Sequence, residues 1–228
     1  MPMANPSATR SFSPECRLCP RLAKFVRASG RKHPGYYARA VPSFGAVQPR
    51  LLVVGLAPGM HGANRTGRPF TGDHAGLLLY QTLHRYGFAT SGHSVSADDD
   101  LQLVDCRITN AVRCVPPENK PTTDEVKVCN AYLRQELLAL DRKSVVLALG
   151  SVAHSAILRA LDLKLSTYRF AHAAEHDLPG QLTLIDSYHC SRYNTQTKRL
   201  TEPMFHSVFA GIREFLDRNE PAERAGQA

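Results

Sequence analysis

RLLVVGLAPGMHGANRTGRPFTGD, residues 50–73, is the stretch from which the fold can be read. Its first seven residues are apolar almost without interruption, the pattern of a strand buried on both faces of a parallel sheet. Residues 57–72 are rich in Gly and Pro and form a loop. Beyond it Leu77, Leu78, Leu83 and Tyr86 recur with helical period until Gly87 ends the helix.

The same strand–loop–helix alternation continues along the chain. A second strand is predicted over 104–112, followed by a proline-rich loop over 114–121. Thr122 or Thr123 then caps a long helix that has Asp124 and Glu125 in its first turn. A third strand, 145–149, closes at Gly150, and Ser151 caps a helix to about 161. A fourth strand, 182–185, leads into the loop SYHCSRYN, and a last helix covers 202–216. Upstream, 16–28 reads as a short amphipathic helix with Leu22, Phe25 and Val26 on its apolar face. Four repeats of β-loop-α call for an α/β/α sandwich: one domain over 14–218 built on a four-stranded parallel sheet. Residues 1–13 and 219–228, rich in Ser, Pro, Ala, Gly and charge, read as flexible ends.

Composition narrows the function classes. No apolar run approaches the roughly 18 residues that span a bilayer, and the N-terminal residues lack the apolar core of a signal peptide. A cytoplasmic, monomeric protein with no membrane association is expected. The 28 Lys+Arg against 20 Asp+Glu give a net charge of +8. That charge suits a polyanionic partner, and equally well ordinary solubility.

Six cysteines without an export signal argue against a disulfide framework and for metal or cluster ligation. Cys16 and Cys19 form a C-x2-C pair on one helical turn, and Cys114 and Cys129 flank the proline-rich loop. Four thiolates from two distant segments suit zinc or a [4Fe–4S] cluster, and spacing does not separate the two. Either centre is structural, since four protein ligands leave no open position. Cys106 reads as core, and Cys190 is not read as a ligand.

In sheets of this kind ligands sit beyond the carboxyl ends of the strands. Three polar segments lie there: GLAPGMHGANRTGRPFTGD at 55–73, TNAVRCVPPENKPT at 109–122 and HCSRYN at 189–194. The first matches neither the dinucleotide fingerprint nor the P-loop. Together the three resemble the motifs of the uracil-DNA glycosylase superfamily, with the nearest likeness to its type 5 (class B) branch, over residues 16–216. The resemblance implies a DNA-repair enzyme that removes uracil and other deaminated bases, among them hypoxanthine and xanthine. It also implies a [4Fe–4S] cluster on Cys16, Cys19, Cys114 and Cys129. It places Gly55, Ala57, Phe70, Asn110 and His189 around the base, with Phe70 as the stacking aromatic. Asp73, Asn110 and His189 would be catalytic, and Arg65, Ser191, Arg192 and Tyr193 would contact DNA.

Two departures stand out. Leu56 occupies a position that is polar in many relatives, and Cys190 replaces the proline of a His-Pro-Ser motif. Each site residue also has an ordinary structural reading: Asp73 as a helix cap, Phe70 as core, Asn110 as a partner for strand-end backbone. A non-catalytic nucleic-acid-binding module with zinc and an iron–sulfur electron carrier are the rival functions.

Overall fold

A computed structural model describes residues 11–220. The apolar run of 50–56 becomes strand β2 (Leu51–Gly55), buried at every position. It lies between β3 (Cys106–Asn110) and β4 (Val145–Leu149), parallel to both, and β4 pairs in parallel with β6 (Leu182–Ser187). Period-two alternation explains why the run is apolar throughout. Leu51 and Val53 point into one core with α3 (His74–Arg85) and α7 (Glu202–Arg218). Leu52 and Val54 point into another with α1 (Pro20–Lys32), α4 (Thr123–Leu138) and α5 (Ser151–Ala160). The layering is the expected α/β/α sandwich.

The sheet has six strands rather than four, in the order β1-β3-β2-β4-β6-β5. The additions are edge strands, β1 (Phe44–Gly45) on β3 and β5 (Glu175–Leu178) on β6, both antiparallel. One is two residues long and the other reads EHDL, half exposed. Neither shows the doubly buried pattern that marks the central strands. Both shield the sheet's open edges.

Helix α1 begins at Pro20, so Cys16 and Cys19 precede it instead of sharing a helical turn. The reason is local: proline occupies a first-turn position where its missing N–H costs nothing, and it keeps Cys19 extended (φ −108°, ψ 96°). At α5 the cap is Gly150, not Ser151. Thr122 caps α4 in a full capping box with Glu125. Leu77 faces outward, 55% exposed, while Leu79, Tyr80 and Leu83 are buried. The short helices α2 (Ala63–Thr66) and α6 (Arg192–Gln196) lie inside what reads as loop. Phe12, within the stretch taken as a flexible end, packs edge-on against Tyr132 at 5.6 Å. The rest of the two ends falls outside the described residues, apart from Ser11, Ser13, Asn219 and Glu220. No helix of the described residues is long and apolar enough to cross a membrane.

Candidate active site

Because β2, β3 and β6 are parallel, their carboxyl ends open on one edge, and each delivers part of a cleft of about 400 Å3. β2 runs into Leu56 and Ala57, β3 ends on Asn110, and β6 leads to His189. The loop from β2 to α3 returns Phe70 and Asp73 to the same place.

Gly55 is what lets the floor form. A Cβ there would collide with Asn110 Oδ1 and would lie 2.5 Å from Phe70 Cζ, so the ring and the amide both press on bare backbone. Phe70 is buried and held at φ +54°, a left-handed conformation uncommon outside glycine. Asn110 is 3% exposed, and its Oδ1 is buried with no hydrogen-bond partner. An orphaned buried acceptor costs free energy unless a ligand donates to it.

Asp73 caps α3: Oδ1 accepts the Gly76 N–H at 3.0 Å. Oδ2 lies over the glycine loop, where a Cβ on Gly62 would strike it and one on Gly59 would sit 3.2 Å away. Burial raises the carboxyl above its ordinary pKa, opposed by the Gly76 and Ala75 amides and by His74. The Gly76 bond thus engages Oδ1, while Oδ2 faces the glycine loop.

His189 is pulled down to about 4 by burial, so it is neutral near pH 7. Its ring stacks with Phe70 at 5.9 Å and 28°. The loop beyond it is self-supporting: Asn194 Nδ2 donates to the His189 carbonyl at 2.8 Å, and Ser191 Oγ accepts the Asn194 N–H. Cys190 is fully buried, and its thiol is pushed up by burial and by the nearby Asp73. It packs as a small apolar side chain beneath the site.

Ala57, Phe70, Asp73, Asn110, His189, Ser191 and Arg192 all line the cleft, and Gly55 lies under its floor. Arg65 is exposed in an adjoining groove shared with Asp73 and Arg192, its Nε anchored on the His61 carbonyl at 2.8 Å. Tyr193 stands outside the cleft, 71% exposed. Sequence reasoning missed His74, Ala75 and Asn119 among the lining residues. Asn119 belongs to the proline-rich segment already quoted, but only its left-handed turn (φ 56°) aims it at the cleft.

Cys16, Cys19, Cys114 and Cys129 are free thiols close enough to bear on one another's ionisation. Burial pushes Cys19 up to about 11, aided by Cys129, Glu125 and Cys16. Burial pushes Cys114 up to about 12, aided by Cys129, Cys16 and Cys19. Thiols that oppose one another's ionisation in this way fit a cationic centre that accepts them as thiolates. The Arg113 N–H lies 3.3 Å from Cys129 Sγ, and the Tyr132 hydroxyl 3.5 Å from Cys16 Sγ. Among the described residues, His154, His176 and Asp186 bring three ligand atoms within 4.8 Å of one another.

The family model described as "Uracil DNA glycosylase superfamily" matches residues 42–213, a span that holds the whole cleft. This chain belongs to that superfamily. A type-5 uracil-DNA glycosylase of Thermus thermophilus is 48% identical, over 85% of this chain and 90% of the relative. One from Mycobacterium leprae is 41% identical, over 87% and 90%. A type-4 uracil-DNA glycosylase of Archaeoglobus fulgidus is 35% identical, over 79% and 84%. Within the superfamily, the likeness is greater to the type-5 proteins.

Proposed function

We propose that this protein hydrolyses the N-glycosidic bond of uracil in DNA, leaving an abasic site, as a monofunctional glycosylase of base excision repair. The observation that carries this reading is the unpartnered Oδ1 of Asn110 on the cleft floor. It is an acceptor awaiting an N–H donor, and the imide N–H of uracil is such a donor. Phe70 supplies a face for the extruded base, a contact worth about 1–3 kcal/mol by analogy with other base–aromatic stacks. The base must leave the duplex first, because its sugar carbon is shielded inside the stack.

Bond cleavage leaves an oxocarbenium-like sugar and an anionic base. Neutral His189 donates a hydrogen bond to the base oxygen as negative charge develops there. Asp73, through the oxygen not used in capping, orients water towards the sugar carbon. Ser191, Arg192 and Arg65 hold phosphates, and Tyr193, projecting beyond the cleft, wedges into the gap left by the base. Incubation with a uracil-containing duplex, then alkali and a gel, should give a single strand break at the uracil. An intact strand at enzyme excess would end the reading.

The finer substrate range follows from Leu56. With an apolar side chain at the cleft wall, the site is less dedicated to uracil and also accepts hypoxanthine and xanthine. A panel of single-lesion oligonucleotides tests this, and strict uracil specificity would defeat it. The wedge is tested by Tyr193→Ala, which should slow release from duplex more than from single strands.

Cys16, Cys19, Cys114 and Cys129 would hold a [4Fe–4S] cluster that staples the N-terminal segment to α4. Iron and acid-labile sulfide near four of each per chain would support it; zinc in their place would not.

A further inference from the structure

Behind the cleft, the residue that precedes His189 is gripped by a part of the chain that supplies nothing to the site. The ladder of β6 ends at Ser187, so the Tyr188 N–H has no strand to meet. It donates instead to His172 Nδ1 at 3.3 Å, and the two rings stack at 5.1 Å and 18°. The Arg199 guanidinium covers the Tyr188 ring at 4.7 Å, and Phe170 lies 6.2 Å from it.

The segment that carries His172 is itself tied to β6. The Ala173 N–H donates to the Asp186 carbonyl at 2.8 Å, and the Asp186 N–H to the Ala174 carbonyl at 2.9 Å. His154 anchors its start, with Nε2 3.1 Å from the Tyr168 carbonyl and Nδ1 2.8 Å from Asp186 Oδ1. Both His154 nitrogens face oxygens that accept, and the bonds to Asp186 and the Tyr168 carbonyl favour the charged ring against burial. The Asp186 carboxylate also lies 3.4 Å from His176 Nε2, so it faces two imidazoles.

We propose that His172 is a positioning residue for His189: by accepting the Tyr188 amide proton it sets the direction of the backbone that carries the catalytic ring into the cleft. The proposal rests on the reading of His189 as donor to the departing base. Accepting at Nδ1 requires the neutral ring with its proton on Nε2, and burial favours that neutral form against a hydrogen bond to the Met204 backbone. His172 thereby does for one residue what a neighbouring strand does for β6.

Two substitutions separate the acceptor from the ring. His172→Phe keeps an aromatic face for Tyr188 and removes the acceptor. His172→Asn gives up the stack but returns an oxygen near the place of Nδ1. Release of uracil in single turnovers should fall by about tenfold or more in His172→Phe, as for other small misplacements of catalytic groups. Affinity for a duplex carrying a cleavage-resistant uracil nucleotide should not change, and His172→Asn should recover most of the rate. The side-chain 15N resonances of His189 should shift in His172→Phe and return in His172→Asn. A wild-type rate in His172→Phe, or His172→Asn as slow as His172→Phe, would overturn the proposal, as would unmoved His189 resonances. An inactive wild-type protein would remove the glycosylase reading instead, and the His189 resonances would still report whether His172 holds the loop.

Discussion

Asp73 offers one oxygen to the first turn of α3 and leaves the other over the glycine loop. Read alone, the residue is more readily a cap, and the structure shows that cap while leaving Oδ2 over the glycine loop. Asp73→Asn keeps a capping oxygen, since asparagine caps as well as aspartate. The melting temperature should hold while uracil release falls by about 10^2-fold or more, the scale of lost general-base assistance; rapid-quench single-turnover assays would show this. The pH dependence carries a sign from both groups to which the proposed function gives a chemical role. His189 is needed neutral and gains its proton near about 4. Asp73 is needed charged and loses its charge somewhat above the usual carboxylate range. Both changes act against the reaction as pH falls, so the rate should be level around neutrality and drop on an acid limb. A steeper limb than one proton allows is expected, easing to one proton in Asp73→Asn.

At the scale of elements, the paired cysteines were legible but their setting was not. The C-x2-C spacing is compatible with a helix, and Pro20 alone moves the helix start beyond Cys19. What joins the two thiol-bearing segments is Glu125. It completes the capping box of α4 and accepts two charge-assisted bonds from Arg21 at 2.8 and 2.7 Å, which holds its carboxyl below the ordinary range. Thr122→Ala should cost about 1 kcal/mol, the usual worth of a cap, with little movement of the thiols. Glu125→Ala should destabilise more, because it also unties α1 from α4. Denaturant titrations of both variants, followed by far-ultraviolet circular dichroism, would measure the difference. The edge strands β1 and β5 were missed for a related reason: a strand with only one neighbour needs no apolar run, so the sequence carries no mark of it.

At the scale of the whole molecule, net charge and buried charge both bear on behaviour in solution. The net charge of +8 makes duplex binding salt-sensitive. Affinity should fall by about tenfold or more between about 50 and 200 mM salt through counterion release, as read by fluorescence anisotropy. Stability should also depend on pH through the buried His154–Asp186 pair. Burial lowers the His154 pKa, but the bonds to Asp186 and the Tyr168 carbonyl more than offset it, so the folded value lies above the ordinary one. The pair's contribution is then complete below the unfolded pKa and disappears as pH rises through the folded one. Asp186→Asn should lower the melting temperature more at pH 6 than at pH 9. Equal losses at both would mean the pair is not charged.

By itself the sequence determined the four parallel strands, the helices between them, and the three segments at the sheet's carboxyl edge. These follow from periodicity and from turn chemistry, which act over a few neighbouring residues. Only the tertiary structure decided which oxygen of Asp73 is spoken for, that Asn110 Oδ1 is left without a donor, and that Asn119 and His172 stand where they do. Those outcomes depend on packing between residues far apart in the chain. A side chain's free valence is set by what surrounds it in space, and no local pattern records that.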